Sequence, residues 1–257
     1  MAQSHTGDDR VAVVTGGASG IGLATAELLA SNGWKLAIFD IGDRALEAIR
    51  QRMADRADML VAKLDVTDET AVELEIARVE EKLGPIFGVV NSAGIAADKH
   101  LFDTPVDLFR RILDVNVVGT FIVARAAALR MKQRRQGSIV NIASVAGLRG
   151  SKGRSAYGSS KGAVAVLTQV MANDLAHYGI RVNAVAPGPV DTPMVQALHT
   201  AEDRKTWTRF IPMRRYGRPE EIAETICFLL DEKRSSYITG EIIAVDGGFR
   251  GAGIIVE

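Results

Sequence analysis

Short apolar runs alternate with longer stretches in which apolar residues recur every three or four positions. Val11–Thr15 is the first run and stops at Gly16-Gly17. Ile21–Ala30 then has helical spacing, with Ile21, Ala24, Leu28 and Leu29 on one stripe. Further strands are predicted at 35–40, 59–64, 86–90, 138–143, 181–186 and 242–245. Helices are predicted between them: 43–53 around Leu46, Ile49 and Met53; 67–83 around Val72, Ile76, Val79 and Leu83; 105–132; 155–178; and 219–230, with Pro219 at its start. Thr67 is the expected cap of the helix that Gly84-Pro85 ends. The mixed stretch 192–213 shows no clear period. Strands apolar on both faces, separated by helices, imply a doubly wound Rossmann-type α/β fold: a seven-stranded, mostly parallel sheet covered on both sides. With no repeat and no linker in residues 1–257, one domain is expected.

Composition narrows the function classes. Lys plus Arg and Asp plus Glu are both 31, for a net charge of zero. That supplies no field to gather nucleic acid or an anionic membrane. The basic stretch Arg130–Arg135 falls at a helix C-terminus, where cations complement the dipole. No apolar leader opens the chain, and no stretch is expected to be a membrane span, the run 119–129 being broken by Arg125. The one cysteine, Cys227, can form no internal disulfide and is read as a buried, inert thiol in a cytoplasmic protein. Histidines 5, 100, 177 and 199 have no metal-ligand spacing.

Candidate chemistry starts at the turn Thr15-Gly-Gly-Ala-Ser-Gly-Ile-Gly22 between the first strand and helix. A phosphate needs backbone N–H groups at close range, which a helix N-terminus supplies once side chains are out of the way. Gly16 permits the turn, Gly20 the close approach of a pyrophosphate, and Gly22 close helix–strand packing. A tight βα turn would ask for the same glycines, so the motif alone is weak. Asp40, ending the second strand, adds specificity: an acid there accepts from the adenosine ribose hydroxyls and repels a 2′-phosphate. No cation occupies positions 17–19 to compensate. The expected cofactor is therefore NAD.

Tyr157 and Lys161 are one helical turn apart on a single face. A lysine cation beside a tyrosine favours the phenolate and brings its pKa toward neutrality, where proton transfer is efficient. Ser144 follows the fifth strand, at the end of the sheet where open α/β folds place ligands. Arg149, Lys152 and Arg154, between Ser144 and Tyr157, read as a solvated or subunit-contacting loop, with recognition of an anionic substrate as the alternative.

These segments, with Asp65-Val66, Asn91-Ser-Ala-Gly94, Asn116, Tyr157-Gly-Ser-Ser-Lys161, Pro187-Gly188, Thr192 and Val245-Asp-Gly-Gly248, resemble the short-chain dehydrogenase/reductase family in order and across nearly the whole chain. The family often has Asn where this chain has Ser92. The resemblance implies a catalytic set of Asn116, Ser144, Tyr157 and Lys161, with Asn116 supporting a water that relays protons from Lys161. It implies cofactor contacts from Gly16, Ser19, Gly20, Ile21 and Gly22, from Asp40, Asp65 and Val66, and from Asn91, Ala93 and Gly94. At the nicotinamide end it implies Tyr157, Lys161, Pro187, Gly188, Val190 and Thr192. Ser144, Tyr157 and Met194 are expected to meet the substrate, the apolar members of 192–213, Trp207 among them, forming its wall.

The implied reaction is hydride transfer between NAD and a small alcohol or ketone such as a polyol, sugar or hydroxy compound. A 3-oxoacyl thioester reductase shares every motif. A non-catalytic nucleotide sensor on the same fold would have no need of the Ser–Tyr–Lys set. Family members pair their two long helices across a two-fold axis, so a homotetramer or homodimer is expected, with the tail 249–257 buried at a contact.

Overall fold

The computed structural model describes residues 10–54 and 56–251. Its strands are β1 Val11–Thr15, β2 Lys35–Asp40, β3 Met59–Lys63, β4 Ile86–Asn91, β5 Gly137–Ile142, β6 Ile180–Pro187 and β7 Ile242–Val245. They form one seven-stranded sheet in the order β3-β2-β1-β4-β5-β6-β7, every neighbour parallel. The order reverses at β1, which pairs with both β2 and β4. A crevice opens at such a reversal, beyond the carboxyl ends of the strands.

The helices are α1 Gly20–Ser31, α2 Asp43–Arg52, α3 Glu69–Leu83, α4 Val106–Leu113, α5 Gly119–Arg134, α6 Val145–Leu148, α7 Ser155–Leu175, α8 Pro193–Leu198, α9 Ala201–Phe210, α10 Pro219–Leu230 and α11 Glu232–Ser235. Alternate residues of each strand feed opposite cores. Val11, Val13, Val89 and Ile139 pack with α3, α5 and α7. Ala12, Val14, Val90 and Val140 pack with α1, α2 and α10. Between β4 and β5 the register partners Asn91 and Asn141 are joined through their side chains, Asn91 Nδ2 donating to Asn141 Oδ1 at 2.9 Å. Asn141 Nδ2 in turn donates to Thr168 Oγ1 of α7 at 2.9 Å.

Several expectations need correction. Of the predicted α1 stripe Ala24 and Leu29 are buried but Ile21 and Leu28 only partly so, and Gly22, Thr25, Ala26 and Ala30 complete the buried face, because α1 is sandwiched between the sheet and α10 and needs small residues there. Asp68, not Thr67, caps α3: its carboxylate accepts from Ala71 N–H, while Thr67 gives both its N–H and its hydroxyl to Asp65. The predicted helix 105–132 runs from 106 to 134 and is interrupted by a wide π-turn at Asp114–Val118. Its Gly119 N–H reaches back to Asp114 O. This run has the length and mean hydropathy (1.7) of a membrane span, contrary to expectation, yet 56% of the relevant window is buried within the protein, as in a core helix. The stretch 192–213 resolves into α8 and α9, the latter opened by a Thr200–Asp203 capping box. Cys227 is partly buried, and burial pushes its thiol up to about 12, as expected of an inert cysteine. The apolar tail end Ile254–Val256 lies outside the described residues.

Candidate active site

The turn after β1 is built by contact with the turn after β4. Thr15 Oγ1 accepts from Ala93 N–H at 3.2 Å. Gly16 has φ +61°, and a Cβ on it would lie 2.8 Å from the Ala93 backbone. A Cβ on Gly22 would lie 2.2 Å from Gly16 O. Neither position accepts a side chain without moving main chain. Ser19 caps α1 without a side-chain hydrogen bond, and the helix ladder begins with Leu23 N–H to Ser19 O. The N–H groups of Gly20, Ile21 and Gly22 thus have no acceptor within the helix and sit at the positive end of its dipole. This is an anion site made of backbone.

Asp40 is tied to the same turn. One carboxylate oxygen accepts from Ala18 N–H at 3.1 Å, the other from Ile41 and Gly42 N–H at 2.8 and 3.1 Å. Leu64 N–H donates to Asp40 O and brings 64–66 alongside.

A cleft of about 570 Å³ joins these parts to the end of β5. That is within the usual range of about 300–1,000 Å³ for small-molecule sites. Gly16, Ser19, Gly20, Ile21, Asp40, Asp65 and Val66 line it from one side, and Ala93, Gly94, Tyr157, Lys161, Thr192 and Met194 from the other. Five expected cofactor contacts do not line it, and neither does Ser144, expected to meet the substrate. Gly22 is packed against Gly16, and Asn91 is buried between β4 and β5. Pro187 ends β6 beside Val245, Gly188 is pressed against Asp246, and Val190 is core. The cleft fits a dinucleotide: a backbone anion site lies between an acid suited to a ribose and a polar inner end.

At that inner end Ser144 caps α6, its hydroxyl accepting from Ala146 N–H at 3.2 Å. Tyr157 lies in the first turn of α7, hydrogen-bonded to Ser144. Burial pushes its phenol above the ordinary value, against the opposing effects of Ser144 and Arg154. Lys161, from which a lowering was expected, is not among the groups that shift it. Lys161 Nζ lies 5.9 Å from the Tyr157 ring centroid and donates to Ile142 O at 2.7 Å. Burial brings the Lys161 ammonium down to about 8.

Asn116 is fully buried in the π-turn. Its Oδ1 accepts from Ile95 N–H at 2.8 Å, and its Nδ2 donates to Ile95 O and to Ser160 Oγ at 3.0 and 2.9 Å. Ser160 Oγ donates to Tyr157 O. The amide clamps the loop after β4 onto α7, so its side chain is not the part left to hold a water.

The structure also adds residues that sequence reasoning passed over. Ser160 stood inside the Tyr–Lys segment and was legible as a hydroxyl on the same helix. Asp98, Arg154, His199 and Tyr216 form a polar cluster beside Tyr157, with His199 buried, Arg154 and Tyr216 partly buried and Asp98 at the surface. Arg154 was expected in a solvated or subunit-contacting loop, and no spacing links it to the others. Of the apolar residues of 192–213, Met194 lines the cleft, whereas Trp207 packs on His199 and Phe249.

Residues 16–250 match the family model described as enoyl-(acyl carrier protein) reductase. A 3-oxoacyl-(acyl-carrier-protein) reductase of Thermotoga maritima is 38% identical over 94% of this chain and 98% of its own length. A cis-4-hydroxycyclohexanecarboxylate dehydrogenase of Sinomonas cyclohexanicum is 40% identical over 94% of this chain and 96% of its own. The crystal structure of a levodione reductase superposes with a TM-score of 0.90, at 36% identity, over 96% of this chain and all of that one. With this sheet, this cleft and these relatives, the chain belongs to the short-chain dehydrogenase/reductase family, oxidoreductases that act on CH–OH groups with a nicotinamide cofactor.

Proposed function

We propose that the chain is a single-domain, NAD(H)-dependent oxidoreductase of a secondary alcohol or ketone, with a small polyol, sugar or hydroxy compound as substrate. The observation that carries this reading is one cleft lined both by Asp40 and by Tyr157 with Lys161. An ionised carboxylate has about four lone-pair directions. Three are used by Ala18, Ile41 and Gly42, which leaves Asp40 fixed and still able to accept from a ribose hydroxyl. The same charge disfavours a 2′-phosphate.

A nicotinamide cofactor held in the cleft would supply or receive the hydride. Ser144 accepts from Ala146 and interacts with the Tyr157 phenol, so its O–H would turn from Tyr157 to hold the substrate oxygen. Tyr157 takes the proton from that oxygen during oxidation and returns it during reduction. Lys161, cationic below about pH 8, holds the nicotinamide ribose and steadies the phenolate. Asn116 keeps the loop 92–95 and α7 in register around the reacting group. Gly16, Ser19, Gly20 and Ile21 take the pyrophosphate; Asp65 and Val66 meet the adenine; Ala93, Gly94 and Thr192 border the nicotinamide half; Met194 faces the substrate.

Reduction of a 3-oxoacyl thioester is the second reading, favoured by the Thermotoga relative. A panel of secondary alcohols, ketones and 3-oxoacyl thioesters with each cofactor separates the two. In that panel Tyr157→Phe lowers kcat by about 10²-fold or more, in the range of lost acid–base groups, while NAD still binds. Near-normal turnover by this variant overturns the assignment. Exposed Phe121 and Leu129 on α5 and Val166 and Val170 on α7 support a homotetramer or homodimer, which sedimentation as a monomer alone would reject. A cytoplasmic location is the companion proposal, supported by the lone, inert Cys227.

A further inference from the structure

Arg154 immediately precedes α7, the helix of Tyr157 and Lys161. Its side chain is only 13% exposed. One guanidinium nitrogen pairs with Asp98 Oδ1 at 2.9 Å, and the other lies 3.1 Å from His199 Nε2. A guanidinium has no lone pair to offer, so Arg154 is the donor and Nε2 the acceptor. The imidazole proton is then on Nδ1, which donates to the Tyr216 oxygen at 2.9 Å. Burial and the Arg154 charge hold His199 below its ordinary value, in the neutral form this arrangement requires. Its ring stacks on Trp207 with an interplanar angle of 5°. The loop after β4, the end of α8 and the start of α7 therefore converge on one cation and fix its place.

That place is over the Tyr157 ring, with the guanidinium carbon 5.4 Å from the ring centroid. Lys161 is at a similar distance, but its ammonium is bonded to Ile142 O. We propose that Arg154, fixed over Tyr157 by Asp98 and His199, is a positioning residue of the reaction whose guanidinium stabilises the phenolate form of Tyr157. The inference rests on the reading of Tyr157 as the proton-transferring group.

The groups acting on the phenol are Ser144, Arg154 and Asp98, while Lys161, on the next turn of α7, has its ammonium 5.9 Å from the ring centroid. Arg154 and Asp98 act with opposite signs. The nearby cation favours the phenolate, and Asp98 offsets part of that. Removing Arg154 therefore raises the Tyr157 midpoint. Removing only the Asp98 charge lowers it.

The test is ultraviolet titration of the phenolate in the full chain without cofactor, for wild type, Arg154→Gln, Arg154→Lys and Asp98→Asn. Tyr157→Phe in each background isolates this one of the four tyrosines. The pH profile of NAD-linked cyclohexanol oxidation accompanies it. The expected result is a midpoint moved up in Arg154→Gln, down in Asp98→Asn and largely restored in Arg154→Lys. Midpoints that stay put, or move the same way in both charge variants, overturn the proposal and leave Arg154 a structural residue. Asp98→Asn keeps the shape of the cluster and decides the matter even if Arg154→Gln fails to fold. Full turnover by Tyr157→Phe would overturn both this inference and the reading beneath it, whereas an inactive Tyr157→Phe with unmoved midpoints overturns the Arg154 role alone.

Discussion

Asp40→Asn separates charge from shape at the ribose end of the cleft. The amide keeps an oxygen facing Ile41 and Gly42 N–H and loses only the bond from Ala18. Asp40→Ala would strip all three donors and cost about 1–3 kcal/mol for each one left buried, confusing affinity with folding. A hydrogen bond to a charged acceptor contributes about 1.5–3 kcal/mol, so the ribose contact is worth roughly 10- to 150-fold in NAD affinity. A 2′-phosphate charge about 5 Å from the carboxylate costs 332/(εr), or about 0.8 kcal/mol at ε of 80 and about 3 kcal/mol at ε of 20. The two effects add to a preference for NAD over NADP of about 10²-fold or more. Asp40→Asn should weaken NAD about tenfold or more and strengthen NADP, narrowing the ratio from both sides. Calorimetric titration of each cofactor without substrate measures this independently of turnover. Equal affinity of the wild type for the two cofactors, or an equal loss of both in the variant, would refute the role given to Asp40.

Two further outcomes follow from the site. Burial holds Lys161 near 8 against an ordinary 10.5, so the unfolded chain binds more protons between those values and stability rises with pH across that window. The burden is full below about pH 8 and amounts to about 3 kcal/mol at most. Lys161→Met should therefore lose activity yet unfold at higher denaturant concentration at pH 7, with the advantage shrinking toward pH 10.5; a variant less stable at pH 7 contradicts this. Met194→Ala should change substrate choice by about 1–3 kcal/mol with little change in NAD affinity, whereas Trp207→Ala should act by loosening His199; ratios of kcat/KM across the panel, unchanged in Met194→Ala, would remove Met194 from the substrate wall.

What could be read from the residues was whatever is local. The run Val11–Val14 is apolar at every position and so suits a strand buried on both faces, and the α3 stripe at Val72, Ile76, Val79 and Leu83 has a period near 3.6. Half of the α1 stripe, Ile21 and Leu28, was misplaced because close packing onto α10 selects small residues, which hydropathy does not reward. The π-turn at Asn116 leaves the apolar period nearly intact on either side and has no compositional mark. The helices α8 and α9 did carry local signals, Pro193 after Thr192 and the Thr200–Asp203 pair, but neither has the apolar stripe that makes a helix visible. In the site, the glycine turn, Asp40 and the Tyr–Lys pair are chemistry at fixed short spacing. Asp98, Arg154 and His199 come from three separate loops, and only the folded sheet brings them together.

The buried amides behind the site bear on how such a pocket can change. Asn91, Asn141 and Thr168 link two central strands to the middle of α7. Sliding α7 by one turn, about 5.4 Å, would strand Asn141 without its acceptor in a region closed to water. Tyr157 and Lys161 therefore inherit their alignment from the rear of the helix, by bonds that no substrate touches. Side chains at the mouth of the cleft, such as Met194, are relieved of any share in that alignment. They are free to be exchanged for others of different size or polarity while the reacting groups stay where they are. One frame can in this way be refitted for many alcohols, with the shape of the entrance varying and the chemistry behind it held constant.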